Sequence, residues 1–156
     1  MADIYGAKGR KLKADGLGQM ADTRFYRGAT SHILDSAKFA NGALIGDKCY
    51  LGEIPSRAVI LPQSTVYFGA FGTNCTLNIG DSKDDDALAT LVSVASGGNT
   101  PLLEHPSAEH IVKPLWQLLG YDADPDRMID LYASVAGANV STATAFLTWS
   151  VLFGRG

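Results

Sequence analysis

Apolar and polar residues alternate with a period of two along several segments from about residue 43 onward. In 73–79, three apolar residues fall on one side and Asn74, Thr76 and Asn78 fall on the other. Segments 128–136 and 143–153 repeat the pattern. A period of two predicts β-strands with one buried and one wet face. The residues predicted to share one core are Cys75, Leu77, Ile79, Ile129, Leu131, Val135, Leu147, Trp149 and Val151.

Turn-forming Gly, Pro, Asn and Asp clusters separate further short segments of strand composition. The additional strands are predicted at 43–51, 57–61, 64–70, 88–95 and 111–119. In 84–96 a helix capped by the aspartates competes with a strand, and the Val and Thr content favours the strand. The sequence therefore predicts an all-β fold, a β-sandwich or jelly roll of about eight strands over residues 41–156.

Residues 1–40 lack this periodicity and are predicted to form an extended N-terminal arm. Residues 1–27 carry six basic against three acidic side chains, whereas the body is net acidic. This polarity favours docking of the arm on an acidic surface of its own body or of a neighbour. The predicted partner-binding residues of the arm are Tyr5, Lys8, Arg10, Lys11, Lys13, Leu17, Phe25 and Tyr26.

Composition fits a single folded domain: 46% of the 156 residues are hydrophobic and 19% are charged. Two cysteines, Cys49 and Cys75, are too few for a disulfide framework, and we predict both to be reduced and buried; a disulfide between them is the minority alternative. The uncharged stretch 131–154 is long enough for a membrane helix. Its Ser, Thr and Asn content instead favours a two-strand hairpin, and we predict no membrane partner.

Catalytic and metal-binding signatures are weak. His105 and His110 lack zinc-helix spacing, and Gly-x-Ser-x-Gly is absent. Four aspartates, Asp81 and 84–86, predict a solvated turn, with a weak cation site as the alternative. The basic run 8–13 makes nucleic-acid binding a candidate function, but the run lacks the interleaved aromatic residues on which bases stack. We therefore predict no enzyme, no cofactor, no metal and no nucleic-acid partner.

Several motifs in order resemble a group of small virion proteins of tailed bacteriophages. A strand followed by Leu51-Gly52-Glu53-Ile54-Pro55 leads into a second apolar strand, and Asn78-Ile79-Gly80-Asp81 precedes the Asp-rich turn 84–88. A Pro-Leu-Trp-Gln-Leu-Leu-Gly segment, residues 114–120, and an apolar last strand follow. The resemblance covers roughly residues 43–153 and leaves the arm uncovered.

This resemblance implies a jelly-roll-like capsid decoration (cement) protein. It implies a structural virion protein that binds the major capsid protein on the outer surface of the capsid and is made in the host cytoplasm. A homotrimer would supply matching symmetry and avidity. The alternative is a phage tail or fibre component, or another glycan-binding β-sandwich module, because the polar strand faces also suit carbohydrate.

Overall fold

The computed structural model describes residues 3–5, 30–103 and 107–155. Within these residues the chain forms ten strands, one short 3₁₀ turn and one short helix. The strands are β1 (Asp3–Tyr5), β2 (Ser31–Lys38), β3 (Lys48–Pro55), β4 (Ala58–Ile60), β5 (Thr65–Phe68), β6 (Thr76–Gly80), β7 (Ala89–Ser93), β8 (Gly98–Pro101), β9 (Met128–Ala136) and β10 (Phe146–Arg155). The 3₁₀ turn spans His110–Val112 and the helix α1 spans Leu115–Leu118.

The strands form two sheets that enclose one core between them. Sheet one has the order β1-β3-β9-β6-β7, and sheet two has the order β2-β10-β5-β8, with β4 also paired to β10. Apart from the parallel pair β1–β3, neighbouring strands are antiparallel. The predicted β-sandwich is therefore confirmed.

All nine residues predicted to share the core are buried, so the inward faces of β6, β9 and β10 are as predicted. They belong to one cluster that includes Phe39 and Phe71, whose ring centroids are 5.5 Å apart. Cys49 and Cys75 lie in the same cluster as free, buried thiols. Ala143 is exposed, because β10 begins only at Phe146.

The strand predicted at 111–119 is wrong. This segment forms the 3₁₀ turn and α1, whose first turn follows Pro114. Proline has a fixed φ suited to a helix start and no N–H to donate to a sheet ladder. The Trp116 amide instead donates to the Ser56 carbonyl at 3.0 Å, which ties α1 to the turn after β3.

Three further differences concern strand pairing. Residues 131–154 do form two strands, but β9 and β10 lie in different sheets, so the predicted hairpin is wrong. Strand β8 occupies Gly98–Pro101, where the sequence indicated only a turn. Strand β2 lies within residues 1–40 and pairs with β10 along its full length, so sheet two begins before residue 41.

The competing helix at 84–96 does not form, and β7 occupies part of that segment as a strand. In the parts of the chain that the structure describes, no helix has the length and apolar character needed to cross a membrane.

Candidate functional site

The predicted arm residues fall almost entirely outside the described part of the chain. Tyr5 is the exception, and its backbone belongs to β1, paired in register with Tyr50 of β3. Lys8, Arg10, Lys11, Lys13, Leu17, Phe25 and Tyr26 lie outside the described residues. What the structure shows is that the beginning of the chain is attached to the β3 edge of sheet one by parallel pairing.

The outer face of sheet two is nearly free of charge. It consists of the outward side chains of β2, β10, β5 and β8, and we call it the charge-poor face. Its members are His32, Leu34, Ser36, Lys38, Phe146, Thr148, Ser150, Leu152, Thr65, Tyr67, Asn99 and Pro101. Side chains alternate between the two sides of each strand. The residues between the outward ones, such as Trp149 and Val66, therefore point into the core and are buried. No carboxylate belongs to this described face.

Three large apolar side chains stand on the charge-poor face about half exposed: Leu34 at 47%, Tyr67 at 49% and Phe146 at 47%. Small hydroxyl residues separate them, and Ser150 is hydrogen-bonded to the His32 ring at 2.8 Å. A sheet face with aromatic and aliphatic side chains and few charges has the composition of the centre of a protein–protein interface. Each anchor retains apolar area that a partner could remove from water.

The outer face of sheet one differs in chemistry. Its centre, which we call the tyrosine–carboxylate face, is formed by Lys48, Tyr50, Glu53, Asp130, Tyr132 and Ser134 from β3 and β9. The rings of Tyr50 and Tyr132 are 5.7 Å apart at their centroids, and the Lys48 ammonium lies 5.5 Å from the Tyr132 ring centroid. Glu53 and Asp130 stand directly opposite each other across the two strands.

Burial distinguishes the two faces. Tyr50 exposes 3% and Ser134 exposes 2% of their surface, although both belong to the outward set. Burial raises the pKa of the Tyr50 phenol far above its usual range, and the nearby charges of Glu53 and Asp130 and a hydrogen bond to Asp130 raise it further. Tyrosine, lysine and carboxylates are thus brought together in a setting of low solvent access.

The Asp-rich turn after β6 is built around a structural carboxylate. Asp81 is 2% exposed and accepts hydrogen bonds from the amides of Lys83 and Asp84 and, at 2.6 Å, from the hydroxyl of Tyr121. Lys83 closes the motif by donating to the Gly120 carbonyl at 2.8 Å. The side-chain role of Asp81 is therefore to anchor the turn to the loop after α1.

The remaining aspartates of the turn are surface groups. Asp84, Asp85 and Asp86 bring one carboxylate oxygen each within 4.8 Å of one another. A hydrogen bond and charge from Asp84 raise the pKa of Asp86. Exposed carboxylates of this kind suit at most a loosely held cation, and an open cleft of about 200 Å³ beside them is lined by Asp86, His110 and Lys113 among others.

The buried thiols lack the environment of a nucleophile. Burial raises the pKa of Cys49 far above its usual range, and burial also raises the pKa of Cys75. A catalytic cysteine needs a lowered pKa and a partner base. Both thiols therefore act as small apolar core residues.

An ion pair fixes the turn between β3 and β4 to the loop before β9. Arg57 and Ser56 both donate to Asp124, and Arg57 also lies 3.5 Å from Asp126. The hydrogen bond from Ser56, followed by that from Arg57, lowers the pKa of Asp124 to about 2. This cluster holds two loops together at one end of the sandwich.

The alternation of apolar and polar residues predicts part of these two faces. Alternation correctly assigns Tyr132, Ser134, Thr148 and Ser150 to outward positions. It does not show that Glu53 and Asp130 are neighbours, because their pairing depends on a register set by distant parts of the chain. The charge-poor face was also hidden, since β2, with apolar residues on both sides, lacks clear alternation.

Comparison with known proteins shows what this fold resembles. No family model and no curated protein matches the chain. A chain in the capsid of Ralstonia phage GP4 is similar with a TM-score of 0.60 at 15% identity, covering 99% of both chains. A chain in the cyanophage Pam1 capsid asymmetric unit is similar with a TM-score of 0.57 at 17% identity, covering 83% of this chain and 86% of the other.

At these identities the likeness establishes a shared fold. The resemblance to phage virion proteins that the sequence motifs indicate is confirmed at that level, since both similar chains come from phage capsids.

Proposed function

We propose that this protein is a structural component of a phage virion that decorates and stabilises the capsid by binding the major capsid protein. The observation that carries the proposal is the fold shared over 99% of both chains with a chain of the Ralstonia phage GP4 capsid. The fold by itself does not fix function, so the surfaces supply the rest of the argument.

The strand order supports a jelly-roll winding. Pairing is nested: β2 pairs with β10, β3 with β9, β5 with β8 and β6 with β7. This arrangement places the two sheets face to face around one densely packed core. A rigid body of this kind suits a cement protein, which must resist deformation of the shell on which it sits.

The charge-poor face supports self-association as a homotrimer or contact with the capsid. Its half-exposed Leu34, Tyr67 and Phe146 are spaced over adjacent strands β2, β5 and β10 and would be buried together by a flat partner. The arm is the second contact element. Its basic residues Lys8, Arg10, Lys11 and Lys13 would meet acidic groups, and Tyr5, Leu17, Phe25 and Tyr26 would add apolar area.

The role is that of a non-enzymatic protein on the outer surface of the capsid, made in the host cytoplasm and independent of cofactors, nucleic acid and membranes. The core position of both thiols and the structural use of Asp81 are consistent with such a role.

A glycan-binding tail or fibre module is the second candidate. The observation that favours it is the position of Tyr67, half exposed and in register with Thr148 and Asn99 on neighbouring strands. An aromatic ring beside hydroxyl and amide groups can stack on a sugar and bond its hydroxyls.

Copy number and position in purified particles test the proposal. Quantitative mass spectrometry and electron microscopy should find hundreds of copies per particle, arranged with capsid symmetry on the outside of the head. A few to tens of copies at the tail, together with binding on a glycan array, would establish the second candidate instead. Leu34→Ser with Phe146→Ser should reduce decoration, whereas the control Asp122→Asn, a loop substitution away from both faces, should leave it unchanged.

A further inference from the structure

Four loops meet at one end of the sandwich and carry almost no charge. The loop between β2 and β3 passes from sheet two to sheet one, so the two sheets share this end. The strand registers place the other three loops beside it. Asp47 is the one charged side chain in the sequence of the four loops. The four loops, which we call the loop end, are 39–47, 69–75, 94–97 and 137–145.

The opposite end of the sandwich has the reverse character. Its turns carry the ion pair of Arg57 with Asp124 and the three carboxylates of 84–86. Charge is therefore distributed unequally between the two ends of one body. Because charged residues are depleted at the centres of protein–protein interfaces, the loop end has the composition of a contact surface.

Leu44 and Ile45 form an apolar tip on the loop end. Leu44 is 59% exposed and Ile45 is 53% exposed. Their backbone is held by side chains of the same end: the Leu44 amide donates to the Asp47 carboxylate at 3.0 Å. The Ile45 amide donates to the side-chain carbonyl of Asn139 at 2.9 Å. A tip whose backbone is already fixed loses little conformational freedom when a partner binds it.

Hydrogen bonds between the loops join them into one surface. The amide of Val140 donates to the Ala43 carbonyl, and the amide of Ser141 donates to the Phe71 carbonyl, both at 2.9 Å. The Phe71 amide in turn donates to the Val94 carbonyl at 2.9 Å. All four loops are linked in this way, so the surface around the tip is formed before any partner arrives.

We propose that the loop end is a protein-docking surface whose Leu44–Ile45 tip enters an uncharged, apolar pocket of the major capsid protein. The identification of that partner rests on the proposed function, whereas the chemistry of the pocket follows from the loop end itself. Two large apolar side chains on a fixed turn match a pocket that removes them from water. A pocket of either charge would find no counter-charge there, because Asp47 already bonds to the Leu44 amide.

The composition of the loop end favours this occupant over two others. Segments that lie in a membrane surface combine apolar residues with Lys or Arg and with interfacial Trp or Tyr. The sequence of the four loops contains none of these four residue types. A second copy of the chain offers the cleft beside 84–86, but Asp86, His110 and Lys113 line that cleft and do not suit an uncharged tip.

Binding to particles that lack this protein tests the tip. The variant L44S/I45S should lower the affinity at least about tenfold, because it removes two apolar side chains from the centre of the contact. The matched control L91S/V112S changes two side chains that are 58% and 71% exposed and lie outside the loop end, and it should bind as the wild type does. Thermal unfolding checks that both variants are folded. Equal affinities of the two variants would overturn the proposal.

Charge placed beside the tip tests the chemistry of the pocket. Ala143 is an exposed residue of the loop end. Both A143K and A143E should weaken binding about tenfold, because a charge of either sign loses its hydration in an uncharged contact. Opposite effects of the two variants would show that the partner surface is charged. Wild-type affinity for both would show that the loop end stays in water. Either result would overturn the proposal.

Three further outcomes identify a different error. If the wild type binds no particle, the proposed function fails and the major capsid protein is not the partner; if the wild type binds and L44S/I45S binds equally well, only the docking assignment fails. Loss in L44S/I45S of an oligomer that the wild type forms, measured by light scattering, would show that a second copy occupies the loop end. Binding of the wild type, but not of L44S/I45S, to vesicles of phosphatidylcholine and phosphatidylserine would identify a membrane instead. Each of these results would overturn the assignment.

Discussion

The indole N–H of Trp149 in sheet two donates a hydrogen bond of 2.7 Å to the carbonyl of Leu51 in sheet one. Leu51 sits at an irregularity of β3, where the register with β9 passes from Tyr50 directly to Gly52. A bulge releases a backbone group from the sheet ladder. The freed carbonyl accepts a hydrogen bond from the indole of Trp149, which is fully buried. This hydrogen bond therefore connects the two sheets through the core.

Replacing Trp149 with Phe should destabilise the protein by about 2–4 kcal/mol. The smaller ring leaves a cavity, and the buried Leu51 carbonyl loses its donor. Urea denaturation measures the free energy of unfolding. Trp116→Phe is the control. Because Trp116 is only half-buried, this substitution should lower the free energy of unfolding by about 1 kcal/mol or less. Equal losses for the two substitutions would contradict a special role for the indole bond.

Gly52→Ala should also destabilise the fold, by about 1–3 kcal/mol. Gly52 has a φ of +141°, and an added Cβ would lie 2.8 Å from the Ile33 side chain of sheet two. A Cβ added at Gly154 would have no atom within 4 Å, so Gly154→Ala should change stability little. Thermal unfolding of the two variants checks the difference, and similar melting temperatures would argue against strain at the bulge.

Acid should weaken the protein partly through Asp124. Its pKa of about 2 in the folded state lies below the ordinary value of 3.8, so the unfolded state binds the proton more readily. Its contribution is complete above about pH 5 and is lost as the pH falls toward 2. Asp124→Asn should therefore lower the melting temperature at pH 6 and have a smaller effect at pH 2.5. A deficit independent of pH would contradict the assignment.

Tyr121→Phe should cost about 1–3 kcal/mol, because the buried carboxylate of Asp81 loses one of its donors. The contact of the Lys83 ammonium with the ring, 4.5 Å from the centroid, is retained in phenylalanine. Tyr67→Phe on the charge-poor face is the matched control and should be near neutral. Guanidinium denaturation of both variants would show whether the hydroxyl of Tyr121 anchors the turn.

Deleting residues 1–27 should leave the sandwich folded and weaken or abolish capsid binding. The deletion removes the three-residue β1 and leaves in place every residue of the core cluster that belongs to the described part of the chain. Circular dichroism checks the fold, and binding to particles that lack this protein checks attachment. Decoration at the affinity of the full chain would show that the body alone carries the attachment.

Local alternation was sufficient to predict the central strands. Strand β9 occupies 128–136 as predicted, and the inward positions of β6 and β10 follow from a period of two. These strands have one buried face and one face that is wet or half-covered, so their composition reports their orientation. Such a signal is local and needs no knowledge of the partner strand.

Elements shaped by distant contacts escaped prediction. The segment 111–119 has strand-like composition but becomes helical after Pro114, where Trp116 bonds to Ser56. Strand β8 contains Gly98 and Asn99 and is held as a strand by its ladder with β5. The two outer faces depend on register and sheet order, which no local pattern encodes. The role of the arm residues in partner binding stays a prediction, because most of them lie outside the described residues.

The pairing of β2 with β10 has a consequence for biosynthesis. His32 and Ser150 bond across 118 residues of sequence, and β2 has no other strand partner in the described part of sheet two. During translation β2 therefore emerges long before its complement exists. Closing so large a loop makes folding slow, and β2 can join sheet two only once β10 has left the ribosome. Until then β2 is unpaired and could pair with a wrong strand. We therefore expect the yield of folded protein in cells to depend on translation rate and chaperone supply.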